Sequence, residues 1–199
     1  MGYPRSLNNL IENFKNLPGV GDKTAERMAL TMLDFDKDVL TSFAKSITDV
    51  KDKIKRCSIC NNLSEDEKCD ICKDKNRNNN VLCVVDDVKS LILFEKNDLF
   101  NGKYHILKGL ISPSNGIDPD DIDIDKLINR VDNENIKEII IAVKPSLEGE
   151  ATALYISKKL ENKDIAVSKL AHGIPMGADM EYIDTFTLKT ALSERKKIS

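Results

Sequence analysis

At 199 residues the chain is long enough for one ordinary domain with smaller modules beside it. Charged residues make up 32% of it but nearly cancel to a net charge of −3, which excludes a uniformly basic nucleic-acid binder and limits any such site to a local patch. No apolar run approaches the length of a membrane span and no signal peptide is recognisable, so we expect a cytoplasmic protein with no membrane partner.

The first predicted element is a pair of helices joined by a glycine-rich turn. Apolar residues recur at helical spacing over residues 6–16, and Pro18 ends that helix. A second helical pattern follows, for which Asp22 is a plausible N-cap. Between the two, Gly19 and Gly21 allow the backbone to turn tightly and to approach a ligand closely.

The start of the second helix carries two cations. Lys23 and Arg27 are four residues apart, so they lie on one helix face beside the turn. The amides of the turn and the positive end of the helix together make a site for a phosphate. We therefore interpret Gly19, Gly21, Lys23 and Arg27 as a helix-hairpin-helix that binds the DNA backbone and reads little sequence. A plain αα-hairpin with two solvated basic residues is the alternative interpretation.

A third amphipathic helix is predicted over residues 38–54, with a basic C-terminal end. The apolar residues on its single face are Val39, Phe43, Ile47, Val50 and Ile54. Cations at a helix C-terminus are explained by the helix dipole and by solvation, with DNA contact as an alternative. We assign residues 1–56 to the DNA-binding region.

Two Cys-x-x-Cys pairs follow, made of Cys57, Cys60, Cys69 and Cys72. Their spacing can bring four thiolates around one tetrahedral ion, and a complete sulfur shell favours a structural Zn²⁺ with no open position. Residues 57–72 are too few for a sizeable apolar core, so metal binding should supply much of their folding free energy. The alternatives are a disulfide, which needs an oxidising compartment, and a thioredoxin-like redox pair, which needs only one Cys-x-x-Cys.

Strand patterns alternate with helix patterns after residue 80. The predicted strands cover residues 81–85, 103–107, 138–143 and 165–169. This alternation indicates an α/β fold in which helices cover both faces of a parallel sheet. Functional groups of such a sheet lie at the carboxyl ends of its strands. Asp86, Glu148 and Glu150 fall at such ends.

Residues 76–80 have the composition of a polar linker that follows the four-cysteine segment of residues 57–72.

The remaining reactive residues are interpreted as structural. Cys83 and His105 lie in strand patterns, where packing is the better interpretation. His172 lies in a loop, but no serine or cysteine nucleophile is visibly paired with it. We therefore predict no catalytic residue.

In combination, the motifs resemble the RecR family of bacterial recombination mediators over nearly the whole chain. They are Leu17-Pro-Gly-Val-Gly-x-Lys-Thr-Ala-x-Arg27, the four cysteines, Tyr104-His105, Ile111-Ser-Pro113, Glu148-Gly-Glu-Ala-Thr152, Gly173-Ile-Pro-x-Gly177 and Asp179-x-Glu-Tyr182. Together these motifs are far more specific than any one of them alone.

The resemblance implies the family's parts and partners. Residues 80–169 would form a Toprim domain, a fold shared with topoisomerases and primases, and residues 170–199 would hold a Walker-B-like segment and a helix. RecR proteins act with RecO, and in some settings RecF, to load RecA onto single-stranded DNA coated by SSB. They form ring-like tetramers similar to DNA clamps, so a homo-oligomer, tetramer or dimer, is implied here. RecO is then implied as the partner of Asp86, Glu148 and Glu150.

Three positions depart from the family's usual pattern. Asp86 stands where Glu is usual, Ser90 where Asp is frequent, and Lys144 where Asn is common. Toprim enzymes hold Mg²⁺ with a strand-end Glu and a paired Asp-x-Asp, whereas this chain reads Lys144-Pro-Ser-Leu-Glu-Gly-Glu150. Both metal-ligating carboxylates of the pair are absent and one is replaced by a cation, which we expect to pair with Asp86 or Glu148. We therefore predict a mediator that is not an enzyme.

Two other functions remain open from the sequence. One is a Toprim enzyme that cuts or joins DNA, and the other is a zinc-bearing adaptor that makes no direct contact with DNA. For the acidic strand ends, a charged loop that only solvates the domain is the alternative to a partner site.

Overall fold

The structure is a computed structural model that describes residues 2–197. It divides into two compact units, of which the first ends at Ile54 and the second begins at Lys55. Residues 198 and 199, the end of the predicted C-terminal segment, lie outside the described residues. Within residues 2–197 the chain forms no helix with the length and apolar character needed to cross a membrane.

The first unit is helical, as predicted. Its helices are α1 (Arg5–Lys15), α2 (Asp22–Thr31) and α3 (Lys37–Lys53), with a 3₁₀ turn at Met32–Asp34. The buried core of this unit joins α1 to α2 and consists of Leu7, Phe14, Ala25 and Ala29. Two alanines on α2 let the helices approach closely, so the turn between them is held by packing on both sides.

Helix α3 has the predicted amphipathic pattern but buries none of its residues. Phe43 and Ile47 on its apolar face are 45% and 60% exposed. An apolar stripe predicts that a helix face is covered, but it does not specify by what. A contiguous exposed apolar face on a long helix is typical of a surface that binds a partner.

The second unit opens with a small module and continues into a sheet. The module contains a hairpin of β1 (Lys55–Arg56) and β2 (Leu63–Ser64), followed by the short helix α4 (Asp70–Lys73). The sheet strands are β3 (Asn78–Val85), β4 (Gly102–Ile106), β5 (Glu138–Ile141) and β6 (Ala166–Lys169). They are all parallel, in the order β4-β3-β5-β6, which confirms the predicted α/β fold.

The predicted linker is wrong from Asn78 onward, because β3 begins there. Asn78 donates its backbone N–H to the carbonyl of Asn101, and the carbonyl of Asn80 accepts from the N–H of Lys137. These asparagines are exposed, so neither burial nor side-chain type signals a strand. Backbone pairing with neighbouring segments, which the sequence does not reveal, extends the strand.

Helices cover both faces of the sheet. They are α5 (Val88–Lys96), α6 (Ile124–Asn133) and α7 (Leu147–Leu160), while α8 (Thr185–Ser193) follows the last strand. Side chains of β3 alternate between the faces. Leu82 and Val84 pack in the core shared with α6 and α7, whereas Cys83 and Val85 pack in the core shared with α5.

The strand order has a topological switch at β3. The chain passes from β3 to β4 on one side, then crosses back to place β5 on the other side of β3. The connection that leaves the carboxyl end of β3 runs toward β4, whereas the one that leaves β5 runs the other way toward β6. A crevice therefore opens between the carboxyl ends of β3 and β5, the usual ligand position in open α/β sheets. Asp86 and Asp87 follow β3 at this end.

His105 is a fully buried imidazole in β4. Tyr104 and Ile106 face the α5 core, so His105 points to the opposite face of the sheet, near Lys126 and Arg130 of α6. Neither ring nitrogen has a hydrogen-bond partner within the described residues. Burial first, and then the charges of Arg130 and Lys126, lower the pKa of His105 from 6.5 to about 3, against a smaller opposing effect of Asp123.

We expect His105 to make the fold sensitive to acid. Because the folded pKa lies near 3 and the reference value is 6.5, the unfolded chain binds the proton more readily, and stability is lost as the pH falls below 6.5. Between pH 7 and pH 5 the loss from this one group is about 2 kcal/mol. The substitution His105→Leu should remove that part of the pH dependence of the unfolding free energy, measured in urea at both pH values.

The matched control is His172→Asn, which removes the other histidine and should show the same loss of stability between pH 7 and pH 5 as the wild type. Protonation of the cysteines contributes equally to all three proteins, so it cancels in the comparison. An unchanged pH dependence in the His105→Leu protein would contradict the assignment.

Candidate metal centre and nucleic-acid interface

The four predicted cysteines converge on one point. Their Sγ atoms all lie within 4.8 Å of one another, and the Sγ atoms of Cys60 and Cys69 are 3.5 Å apart. A tetrahedral Zn²⁺ with bonds of about 2.3 Å requires sulfur–sulfur distances of about 3.8 Å, so the cluster fits the ion. None of the four forms a disulfide in the structure, and three are buried while Cys72 is partly exposed.

Two local turns position the sulfurs. Asn61 adopts a left-handed backbone conformation with φ of 63°, and its N–H bonds the carbonyl of Cys57, which closes the first knuckle. The N–H of Cys69 lies 3.3 Å from the Sγ of Cys57 and donates to it. Cys69 is also the N-cap residue of α4, and this short helix carries Cys72 back to the cluster. Asparagine adopts the left-handed conformation more often than most other residues, which explains why it occupies this turn.

The module is attached to the edge strand of the sheet. Ile106 donates its backbone N–H to the carbonyl of Cys60 at 2.9 Å, and the side-chain amide of Asn61 donates to the carbonyl of Ile106 at 2.9 Å. Lys126 of α6 donates to the other atom of that amide, Oδ1, at 2.6 Å. These bonds pair the outer edge of β4, which would otherwise expose unpaired backbone groups. Sequence reasoning missed the role of Asn61, for which its position directly after Cys60 is the available signal.

The glycine turn of the first unit has the predicted geometry with one difference. Gly19 has a φ of +80°, which L side chains rarely adopt. Gly21, not Asp22, is the N-cap of α2, and its carbonyl accepts from Thr24 and Ala25. The Asp22 N-cap prediction is therefore wrong by one residue, because an extended glycine precedes the helix and leaves no side-chain cap.

The charges around this turn leave two cations available. Asp22 lies 2.9 Å from Lys15, and this ammonium lowers the pKa of the Asp22 carboxyl. Lys23 and Arg27 are exposed, and neither forms an ion pair within 4.0 Å in the part of the chain that is described. Both line one shallow groove of about 320 Å³ on α2. Asp22 is thus paired, while Lys23 and Arg27 face solvent in a groove that Glu26 and Asp34 also line.

The three predicted acidic residues occupy different surroundings. Asp86 is partly buried, lines a cleft of about 700 Å³ beside the metal module, and has no ion-pair partner within 4.0 Å among residues 2–197. Glu148 lies in the first turn of α7. Glu150 is engaged, since its carboxylate is 3.1 Å from Lys169 Nζ and 3.4 Å from His172 Nδ1.

The loop before α7 is built for a helix start. Ser146 is the N-cap, and its Oγ accepts from the N–H of Gly149 at 3.2 Å. A Cβ on Gly149 would lie 2.0 Å from the carbonyl oxygen of Lys144, so only glycine allows this close approach. Sequence reasoning missed this role of Gly149. The first turn of the helix is thereby fixed, and Glu148 with it.

Lys144 does not form the ion pair that the sequence predicted. It is exposed and has no carboxylate within 4.0 Å among the described residues. Its charge does contribute to a lowered pKa of Glu148, after the larger effects of the Glu148 backbone amide and the Ser146 side chain. The cation therefore acts on Glu148 at a distance across solvent.

Other reactive side chains have structural surroundings. Burial raises the pKa of the Cys83 thiol to about 12, so it stays protonated and packs as an apolar group. Asp87 caps α5 by accepting from the N–H of Ser90 at 2.6 Å, and this bond lowers the pKa of the Asp87 carboxyl. Ser90, which stands where the RecR family frequently has Asp, thus takes part in a helix cap through its backbone N–H.

We expect one Zn²⁺ per chain, held by the four cysteines, in protein purified without chelator. Elemental analysis measures the stoichiometry directly. Cys57→Ser should lower both zinc content and thermal stability because a hydroxyl is a poor substitute for a thiolate ligand. The control is Cys83→Ser, which removes a thiol outside the cluster and should retain the full zinc content. Metal-free protein with a disulfide detected by mass spectrometry would contradict this assignment.

Comparisons with known proteins agree with this arrangement. Four family descriptions match the chain in order: the RecR helix-hairpin-helix at residues 7–51, the RecR four-cysteine zinc finger domain at 54–74, a Toprim domain at 80–171 and the RecR C-terminal region at 173–196. The match to a zinc finger with four cysteine ligands identifies the metal of the cysteine cluster as zinc.

Curated relatives match over full length. A recombination protein RecR of Natranaerobius thermophilus is 43% identical over 98% of both chains. Those of Staphylococcus saprophyticus and Staphylococcus haemolyticus are 46% and 45% identical over 100% of both chains. With its helix-hairpin-helix, zinc finger and Toprim sheet in the same order, this chain belongs to the RecR family of recombination proteins.

Proposed function

We propose that the protein is a DNA-binding recombination mediator that works with RecO, and in some settings RecF, to load RecA onto single-stranded DNA coated by SSB. The observation that carries this proposal is the glycine turn of residues 17–21 with two unpaired cations beside it. Membership of the RecR family supports a role in recombination, and we propose that the protein works in the bacterial cytoplasm. In this proposal, residues 1–56 bind DNA and residues 57–72 bind zinc. Residues 80–169 form the Toprim domain, and residues 170–199 form the C-terminal segment.

DNA binding is supported by the chemistry of the turn. Gly19 and Gly21 leave open space around the backbone, with no atom within 4 Å of an added Cβ, so a phosphate can approach the amides. Lys23 and Arg27 then supply charge-assisted hydrogen bonds to neighbouring phosphates. Such contacts fix position on DNA without reading bases, so we propose binding that is independent of sequence.

Changing Lys23 and Arg27 together to Ala should weaken binding to DNA of any sequence. The slope of log affinity against log salt concentration should fall by about 1.4 for single strands, because two fewer counterions are released. A fluorescence titration over a range of salt concentrations measures both quantities. Lys37→Ala with Lys45→Ala on α3 makes the same charge change outside the turn and should keep the wild-type slope. Wild-type affinity in a folded Lys23→Ala, Arg27→Ala protein would favour the plain αα-hairpin.

We propose that the Toprim domain is not an enzyme. Two positions that would hold Mg²⁺ in a Toprim enzyme are Lys144 and Ser146 here. An exposed ammonium repels a divalent cation, and the Ser146 hydroxyl is committed to capping α7. With neither residue able to supply a carboxylate, a metal-dependent cleavage or topology reaction lacks two of its ligands. This argues against the Toprim enzyme alternative.

The carboxylates that remain are proposed to bind RecO. Asp86 is partly buried at a cleft and forms no ion pair within 4.0 Å among residues 2–197, and Glu148 is held in a fixed helix turn. A basic side chain of a partner would neutralise either group and orient the complex. Glu150 contributes less free charge because Lys169 and His172 already contact it. We therefore assign the stronger role to Asp86 and Glu148.

Glu148→Ala should reduce affinity for RecO by roughly 10-fold or more, as expected for loss of a charged group from an interface. Glu161→Ala, at the other end of α7, is the matched control and should bind RecO normally. Isothermal titration measures the affinity, and a separate assay tests DNA cleavage with Mg²⁺. Unchanged RecO affinity would defeat the partner assignment and favour a solvated loop. Cleavage by the wild type that is lost in the variant would establish an enzyme.

Homo-oligomer formation, as a ring-like tetramer or a dimer, is supported by the exposed face of α3. Val39, Phe43 and Ile47 are at least 45% exposed there and form one stripe.

The Walker-B-like description of residues 170–184 rests on the resemblance alone. A zinc-bearing adaptor without DNA contact is the second candidate function, and a mobility-shift measurement with and without RecO separates it from a direct DNA binder.

A further inference from the structure

Lys103 is a buried cation in the edge strand β4. The residue is 5% exposed, and its ammonium reaches across to the metal module. Its Nζ donates to the carbonyl of Ile71 at 2.6 Å, to that of Asp74 at 2.6 Å and to that of Cys72 at 3.3 Å. All three hydrogens of the ammonium therefore bond the backbone that carries the last zinc ligand.

This ammonium has no carboxylate within 4.0 Å in the described part of the chain. Arg130, the other buried cation of the same groove, does have one, since its Nε lies 2.9 Å from Glu134. Burying a charge without a counter-ion is costly, even when its hydrogen bonds are satisfied. A further negative charge close to the ammonium would lower that cost.

The zinc site supplies such a charge. One Zn²⁺ with four thiolates carries a net charge of −2, and three of its four ligands are buried. Cys72 and Lys103 line the same groove of about 370 Å³, and Lys103 bonds the Cys72 carbonyl. The ammonium and the anionic cluster are thus neighbours in a region partly shielded from water.

We propose that Lys103 is a positioning residue for the zinc site, which offsets the charge of the four thiolates and holds the Cys72 knuckle against the sheet. Groups of this kind around a metal commonly contribute about 10- to 100-fold to its affinity. The role depends on the positive charge as well as on hydrogen bonding. It is independent of DNA and of any protein partner, so its test does not depend on the proposed function.

The experiment compares Lys103→Gln with Lys103→Arg in the full chain. Glutamine keeps a hydrogen-bond donor for the carbonyls but removes the charge, whereas arginine keeps the charge. Competition with a zinc chelator measures the dissociation constant. We expect about 10- to 100-fold weaker zinc binding in Lys103→Gln and near wild-type binding in Lys103→Arg. Lys163→Gln removes one ammonium that pairs with Asp132, away from the cysteines, and should bind zinc normally.

The absorption spectrum of the Co²⁺-loaded protein is a second measurement, and a purely structural role of Lys103 would not change it. Its thiolate-to-metal charge-transfer band arises when light transfers an electron from sulfur to the metal. A nearby cation stabilises the sulfur electrons, so its loss in Lys103→Gln should shift the band to longer wavelength. Lys103→Arg should leave the band in place.

Wild-type zinc affinity and an unshifted cobalt band in Lys103→Gln would overturn the proposal, even if the unfolding free energy falls. That result would leave Lys103 with a structural role only, in which its ammonium bonds backbone carbonyls of α4 and of the residue after it. If Lys103→Gln is insoluble, Lys103→Arg decides alone. Zinc affinity within the wild-type range then supports the role of charge, and zinc affinity reduced by about 10-fold or more contradicts it.

Discussion

The attachment of the zinc module to strand β4 is the constraint on which the second unit depends. An edge strand of a parallel sheet exposes unpaired backbone groups, and here Cys60 and Asn61 pair with those of Ile106. The module has too little apolar surface to fold alone, so the zinc–sulfur bonds hold the surface that covers the strand. Metal binding and sheet integrity are thereby coupled through a few hydrogen bonds.

The same attachment shapes the cleft at the carboxyl end of the sheet. The walls of the cleft include Arg56 and Ser58 from the module and Asp86 and Asp87 from the end of β3. Lys108 on one wall is paired with Asp123 at 2.9 Å, and Asp87 is used to cap α5. Arg56 and Lys126, which also line the cleft, donate to the backbone carbonyl and the side chain of Asn61. The cleft thus contains a carboxylate, that of Asp86, which forms no ion pair within 4.0 Å among residues 2–197.

The loop before α7 is held in place by contacts within the chain. Ser146 uses its hydroxyl as a helix cap, and Gly149 admits the carbonyl of Lys144 where any side chain would collide. The backbone is therefore fixed by local hydrogen bonds that no ion needs to supply. Lys144 extends into solvent and acts on Glu148 only through its field.

The sequence by itself determined the parts of this protein that depend on local pattern. Residue spacing located the glycine turn, the four zinc ligands and the alternating strands and helices, because helical and strand periods and ligand geometry are properties of short segments. Only the tertiary structure decided the groups whose roles depend on distant partners. Lys103 and Asn61 bond residues 29 to 65 positions away, and Glu150 pairs with Lys169 of strand β6. The reason is physical: a charged or polar side chain has the same local pattern whether it is solvated or buried, and its state is set by what the fold brings against it.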